Sequence, residues 1–272
     1  MLFETAVPKP LRFFHRQTRR LELVNTYARL NLKAKASKTY LSYAWWIIEP
    51  LLFVAIYYFV FTRVLANRPQ DFVLFLFAGK IPFLWIAKSI TNTSGSILAN
   101  KGLLGQSAIQ PALFPLVVLQ ENFYKQIPVF IMLLGLLLFF GVHPGWGWLW
   151  LLPLICLNYL FLLPVALAGA LVTAFIPDAR LMLSLLTTFL MFVSGVFWDI
   201  RSLADVSLQH ALLVYNPVAF LLDTYRAVLI YQETPDLSRM VWLTLLTSLT
   251  LALIVYLYGA LRGAISKCAI NQ

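Results

Sequence analysis

The chain has 272 residues, of which 61% are hydrophobic and only 12% charged, with a net charge of +10 and a mean hydropathy of +0.80. Soluble domains carry about 25% charged residues, so this composition excludes a soluble enzyme or binding module and fits an integral membrane protein. The positive charge sits beside apolar segments rather than on a soluble domain with a face to offer, which argues against nucleic acid as a partner.

Residues 1–40 are polar and basic. Within PLRFFHRQTRRLELV, Leu11, Phe14, Thr18 and Leu21 recur at helical spacing, while Arg12, Arg16, Arg19 and Arg20 lie mostly off that stripe. Residues 10–22 are therefore predicted to form an amphipathic helix in the headgroup layer, against membrane lipids. A second short basic helix, 25–39, is expected to lead to the bilayer. No apolar h-region precedes residue 40, so no cleavable signal peptide is expected.

The stretch KAKASKTYLSYAWWIIEPLLFVAIYYFVF passes from lysines through Tyr and Trp into hydrocarbon, the order expected of a helix entering a bilayer from the cytoplasm. Apolar runs of about 20 residues are needed to cross. They are predicted at 44–61, 72–91, 122–141, 149–175, 181–198 and 240–260, giving six spans within 41–260 of a single transmembrane domain and a tail at 261–272. Segment 199–238 is too charged for two spans and too apolar for an open loop. Re-entrant outer helices between the last two spans, turning at Asn216-Pro217, explain it. The fold class is thus all-α integral membrane. With the N-terminus inside, most of the 21 Lys and Arg residues fall in the cytoplasm, as the positive-inside rule requires; Arg201, Arg226 and Arg239 fall outside.

Motifs for chemistry are missing. There is no GxxxxGK[ST] loop for ATP, no CxxC, HExxH or GxSxG, and hence no catalytic, metal or cofactor site to assign. Cys156 and Cys268 offer no disulfide framework and read as packing residues. Ionisable residues at membrane depth are the functional candidates by default. Glu49 either partners nearby cytoplasmic bases or serves function directly. Lys80 and Lys88 are about 80° apart on span 2, and either snorkel to the two interfaces or face an aqueous pathway. The aromatic residues of the first spans either belong to interface belts or stack on sugar rings. On these grounds Trp45, Trp46, Tyr57, Tyr58, Phe61, Lys80, Trp85 and Lys88 are the substrate-channel candidates.

TYLSYAWWIIEPLLFVAIYYFVF resembles the first-span signature of ABC-2 type permeases that export bacterial surface polysaccharides, the O-antigen and group 2 capsule permeases among them. FLFAGKIPFLWIAKSITNTSGSILANKGLL and NPVAFLLDTYRAVLI resemble, in order, the second span with the following loop and the outer segment before the last span. Lys80, and GVFWD after span 5, depart from the pattern. The resemblance implies a homodimer with two separate ATP-binding cassette subunits, ATP and Mg residing on those partners, in the bacterial inner membrane with both termini cytoplasmic. It implies a lipid-linked polysaccharide as cargo, a channel formed chiefly by spans 1 and 5 of both chains, and outer gate helices within 199–238. It also implies a coupling helix over about 100–116, with Asn100, Leu103, Leu104, Gln106 and Pro111 as candidates for contact with the ATPase. Another ABC-2 cargo, a teichoic acid precursor, lipid or drug, is the alternative; a polytopic transferase would need an acid/base or metal cluster at a membrane face.

Overall fold

The computed structural model describes residues 9–37, 42–60, 70–106 and 109–271. Every regular element among them is helical. In order they are α1 (Lys9–Ala36), α2 (Trp45–Phe59), α3 (Gln70–Ser94), α4 (Ser96–Ala99), α5 (Lys101–Gln106), α6 (Leu113–Phe139), α7 (Leu151–Phe175), α8 (Ala179–Val193), α9 (Val206–Tyr215), α10 (Pro217–Arg226), α11 (Leu237–Ala260) and α12 (Arg262–Asn271).

Among the described residues, four helical stretches are long and apolar enough to cross a bilayer: Phe72–Ser94, Leu113–Phe139, Trp146–Phe175 and Leu237–Ala260. They coincide with four of the six expected spans. The other two, α2 and α8, are apolar and cover 15 described residues each, a rise of about 22 Å against a hydrocarbon core of about 30 Å. The chain is a multi-pass helical membrane protein. α9 and α10, with the π-helical turn Ala227–Tyr231, meet at a bend of 103°. The bend falls at Asn216-Pro217 as the sequence predicts. Asn216 caps the second helix, its Oδ1 accepting from the N–H groups of Val218 and Ala219 at 3.1 Å each, and Pro217 occupies the first helical position, where its missing N–H costs nothing.

The central element is α3. In its most apolar 18-residue window 83% of residues are buried, against 17% for α11. It packs against α2, α6, α7, α8 and α10. A helix apolar on every side belongs inside a bundle, and α3 supplies most of the main core, with Val73, Phe77, Ile81, Trp85 and Ile86 meeting Leu133, Leu154 and Leu162. The outer faces of α8 and α11 keep Leu185, Phe189, Leu245 and Leu249 exposed, as lipid or protein contact at a membrane-facing surface permits.

The amphipathic segment and the short helix expected at 25–39 are one continuous helix, α1. Beyond Pro10 in its first turn no Gly or Pro interrupts it, and its far half docks on α6. Glu121, only 1% exposed, accepts from Asn31 Nδ2 at 2.8 Å and Lys35 Nζ at 2.5 Å, while Val24 and Ala28 pack on Val117. Leu23, Tyr27 and Leu30 remain on the outer side. The stripe Leu11, Phe14 and Thr18 lies outside the residues whose side chains are described; Leu21 is exposed.

A second anchor ties the bent pair to the bundle. Arg226, counted above among the outer bases, is buried at 2% exposure. Its Nε donates to the Phe75 carbonyl at 3.1 Å and its Nη2 to the Val196 carbonyl at 3.0 Å. Its Cζ lies 3.6 Å from the centre of the Phe75 ring. Gly79 makes room: a Cβ there would overlap Nη2 and sit 2.8 Å from Cζ. Gly195, at φ +71°, makes the turn that presents the Val196 carbonyl. Each hydrogen bond from a charged donor contributes about 1.5–3 kcal/mol. Arg226→Met is therefore expected to cost about 3 kcal/mol or more, and Gly79→Ala to destabilise by displacing the guanidinium. Because both act on one contact, Gly79→Ala should cost clearly less in the Arg226→Met background, as read from thermal unfolding of the four variants.

Candidate functional site

The sequence candidates separate into a cleft in the helix bundle, an aromatic cage around Lys80 and a loop surface. The cleft, of about 310 Å³, opens between α2, α3 and α6 and is lined by Trp45, Trp46, Glu49, Trp85, Lys88, Asn92, Asn122, Lys125 and Gln126. The helical repeat explains the grouping: Glu49 lies one turn beyond Trp45, Lys88 one turn before Asn92, and Lys125 and Gln126 one turn after Asn122. Four of the eight channel candidates thus share one cleft, though Trp85 is otherwise buried at 1% exposure and packs on Phe123 and Phe130.

Lys88 Nζ donates to Glu49 Oε1 at 2.7 Å, with the two side chains 46% and 38% exposed. Lys88 is thus paired across α2 and α3, and Glu49 has the lysine of the next helix as its partner. The pair places one positive and one negative charge at the mouth of the cleft. Asn92 donates to Asn122 at 3.2 Å. Lys125 Nζ stands 6.0 Å from the centre of the Trp46 ring. The Nε2 of Gln126 and the Nε1 of Trp85 are buried with no hydrogen-bond partner among the described residues. The cleft therefore combines two ammonium groups, one carboxylate, amides and three indoles, a set that accepts oxygen-rich, acceptor-bearing ligands.

Lys80 lies elsewhere. At 6% exposure it is enclosed, with Nζ 2.9 Å from the Met191 sulfur and 5.3 and 5.9 Å from the centres of the Phe197 and Phe83 rings. Neither snorkelling nor an open aqueous wall describes it. Two lysines on one helical stripe meet different neighbours because α8 covers the first and α2 only flanks the second. Tyr57 joins the cage through Phe197 at 6.1 Å, and Tyr58 faces Phe140 at 6.1 Å. Phe61 lies outside the described residues.

The loop expected as one helix over about 100–116 is broken. Asn100 interrupts it, α5 occupies only Lys101–Gln106, and α6 already begins at Leu113 after a turn at Pro111. Leu103 is 45% exposed, but Leu104 is 6% exposed and Pro111 is buried. Leu104 belongs to a core with Ile97, Phe114, Ile265 and Ala269, so the tail forms a helix, α12, that supports α5 from behind. Gln106 lies in α5, with its side chain outside those described. Only Leu103 of the two adjacent leucines can meet a partner, because neighbours on a short helix are 100° apart. Cys156, read as a packing residue, is exposed on α7.

Sequence reasoning missed Gln126, Asn92, Asn122 and Glu121; polar residues within apolar helices were the available signal. Among the described residues no cluster of three or more His, Cys, Asp or Glu is placed to hold a metal ion. In a chain carrying Cys156→Ser and Cys268→Ser, Lys88→Cys is expected to react with a polar thiol reagent in detergent-solubilised protein, whereas Lys80→Cys stays unreacted until the chain is unfolded. Equal labelling of the two positions would contradict the separation of cleft and cage.

The chain is similar to three known membrane proteins. It is 28% identical over 200 residues to the O-antigen export system permease protein RfbA of Klebsiella pneumoniae, a match covering 72% of this chain and 75% of that protein. Another K. pneumoniae protein of the same name is 27% identical over 200 residues. RfbA of Myxococcus xanthus is 23% identical over 205 residues, 75% of this chain and 79% of that protein. No family model matches the chain. The resemblance read in the sequence thus has three named counterparts, all export permeases.

Proposed function

We propose that the chain is the transmembrane permease subunit of an ATP-driven exporter that carries a lipid-linked surface polysaccharide, O-antigen or capsule, across the bacterial inner membrane. The observation that carries this reading is the similarity to O-antigen export permeases along nearly three quarters of the chain. The helical architecture agrees with it: four full-length apolar helices, two shorter ones and a bent pair. In this reading two copies pair, and each engages one ATP-binding cassette subunit, which binds ATP and Mg. Both termini are cytoplasmic. The single domain comprises the basic segment 1–40, the region 41–260 and the tail 261–272.

The exposed apolar residues of α2 and α8, such as Phe53, Ile56, Leu185 and Phe189, then face the partner copy and the route between the copies. The bent pair of α9 and α10 enters from the outer side and returns to it, gating that route. On the inner side α5 presents Leu103 to the ATPase. A groove on a soluble partner can take such an apolar residue, and α12 packed behind α5 gives the thrust of the ATPase a firm element to push on.

Deleting the gene should abolish surface polysaccharide and cause polymer to accumulate inside the cell, and the intact chain should restore export. Leu103→Asp should leave chain level and thermal stability unchanged while reducing export and its coupling to ATP hydrolysis by roughly tenfold or more, as loss of one apolar anchor does. Leu104→Asp should instead lower the folded protein, since it places a charge in a core. Normal surface polysaccharide in the deletion strain would refute the export function; normal export by Leu103→Asp would refute only the coupling role.

A further inference from the structure

Lys80 is a costly residue where it stands. It is 6% exposed, near the middle of the central helix α3. Among the described residues its hydrogen-bond acceptor is the Met191 sulfur at 2.9 Å, and no carboxylate lies within ion-pair distance. A thioether is a weak acceptor. The Phe197 and Phe83 rings, 5.3 and 5.9 Å away, offset part of the desolvation of an ammonium group. A methionine would fill the same space without that desolvation. The cover over the charge is thin. Met191 and Phe197 are themselves only partly buried, and side-chain rotation alone can draw them aside. Tyr57 and Phe192 lie against the Phe197 ring at 6.1 and 5.7 Å, so the cover sits between Tyr57 of α2 and the end of α8.

In the export reading, α2 and α8 turn their exposed apolar faces to the route between the two copies. We propose that Lys80 is a concealed anion site of that route. Met191 and Phe197 cover it at rest and part during transport, and the ammonium group then binds a carboxylate or phosphate of the passing cargo. The inference rests on the chain being an exporter subunit and names the chemistry this subunit recognises. An ionised ligand biases the cover toward opening because it binds the uncovered lysine alone. Its oxygens accept charge-assisted hydrogen bonds that a thioether and two rings cannot replace. Intramembrane lysines without a carboxylate mark ligand pathways on these terms. A lysine that merely fastens α8 to α3 is the opposite case, and stability separates the two: loss of a fastening destabilises the resting protein, whereas loss of a concealed site does not.

The test compares the intact chain with Lys80→Met in the deletion strain, at equal chain level, and in thermal unfolding of the purified proteins. Lys80→Met should unfold at the same temperature as the intact chain or higher, and should reduce surface polysaccharide roughly tenfold, the worth of one charge-assisted hydrogen bond. Full export by Lys80→Met would overturn the site while leaving the export function standing, because the intact chain restores export in the same strain. A lower unfolding temperature would overturn it as well and assign Lys80 to fastening α8. In the exporter reconstituted with its ATPase, a chain with Cys156→Ser, Cys268→Ser and Lys80→Cys should react with a polar thiol reagent during ATP hydrolysis and not before; failure to react in both conditions counts against an opening cover. The anion comes either from a diphosphate that joins glycan to lipid or from acidic sugars, and two probes separate these sources. Lys80→Met should lose the stimulation of ATP hydrolysis by farnesyl diphosphate in the first case, and by a galacturonate trimer in the second. Equal stimulation of both proteins by both probes, or of neither protein by either probe, contradicts the proposal.

Discussion

A buried arginine with no carboxylate within ion-pair distance among the described residues holds this fold in register. Arg226 brings its charge into the bundle at a desolvation cost of several kcal/mol, and the neighbours that offset the cost come from three separate elements. The Phe75 carbonyl and ring belong to α3, the Val196 carbonyl to the turn after α8, and the arginine itself to the end of α10. Removing any one leaves the charge short of a partner, so the three elements adopt their relative positions together. Gly79 is part of the same constraint, because no other residue lets a guanidinium lie against the α3 backbone there. The bent pair of α9 and α10 is thereby fixed to the central helix.

The anchor is matched by an ion-pair network on the nearby surface. Arg201 pairs with Asp223 at 2.8 Å and Glu233 at 2.8 Å, and those acids hold its guanidinium above its already high ordinary value. Asp223 and Glu233 flank Arg226 and the π-helical turn. A deep contact and a surface network therefore hold the same short segment from its two sides, and α8 ends between them. Changes in the position of α8 would be felt directly by the bent pair.

Much of the architecture was legible in the sequence, for definite reasons. Apolar runs reveal helices because length and composition are one-dimensional properties, and Asn216-Pro217 reveals the bend because its chemistry is local. What a helix touches is not local. α3 and α11 both read as apolar spans, yet one is enclosed and the other is largely bare. Lys80 and Lys88 share a stripe, but α8 closes over one and Glu49 meets the other. Leu103 and Leu104 are adjacent in the chain and oppositely disposed in space. Arg226 looked like one more outer base because nothing in NPVAFLLDTYRAVLI shows that Gly79 leaves it a place. The cleft was half legible: its indoles and Lys88 stand out in the sequence, whereas Lys125 and Gln126 join them only through the packing of α6 on α2 and α3.

The account rests on the bent pair being a hairpin that returns to the side it left, since only then does Arg226 tie a hairpin, rather than a further crossing element, to the bundle. Its direct measurement is the sidedness of its two ends. Single cysteines at Ser207 and Glu233, both exposed, are placed in a chain with Cys156→Ser and Cys268→Ser and treated in intact cells stripped of their outer membrane with a membrane-impermeant thiol reagent. The account predicts that both react from outside, at similar rates. Reaction of one from outside and of the other only after the inner membrane is opened would mean that the pair crosses the bilayer, and would contradict it.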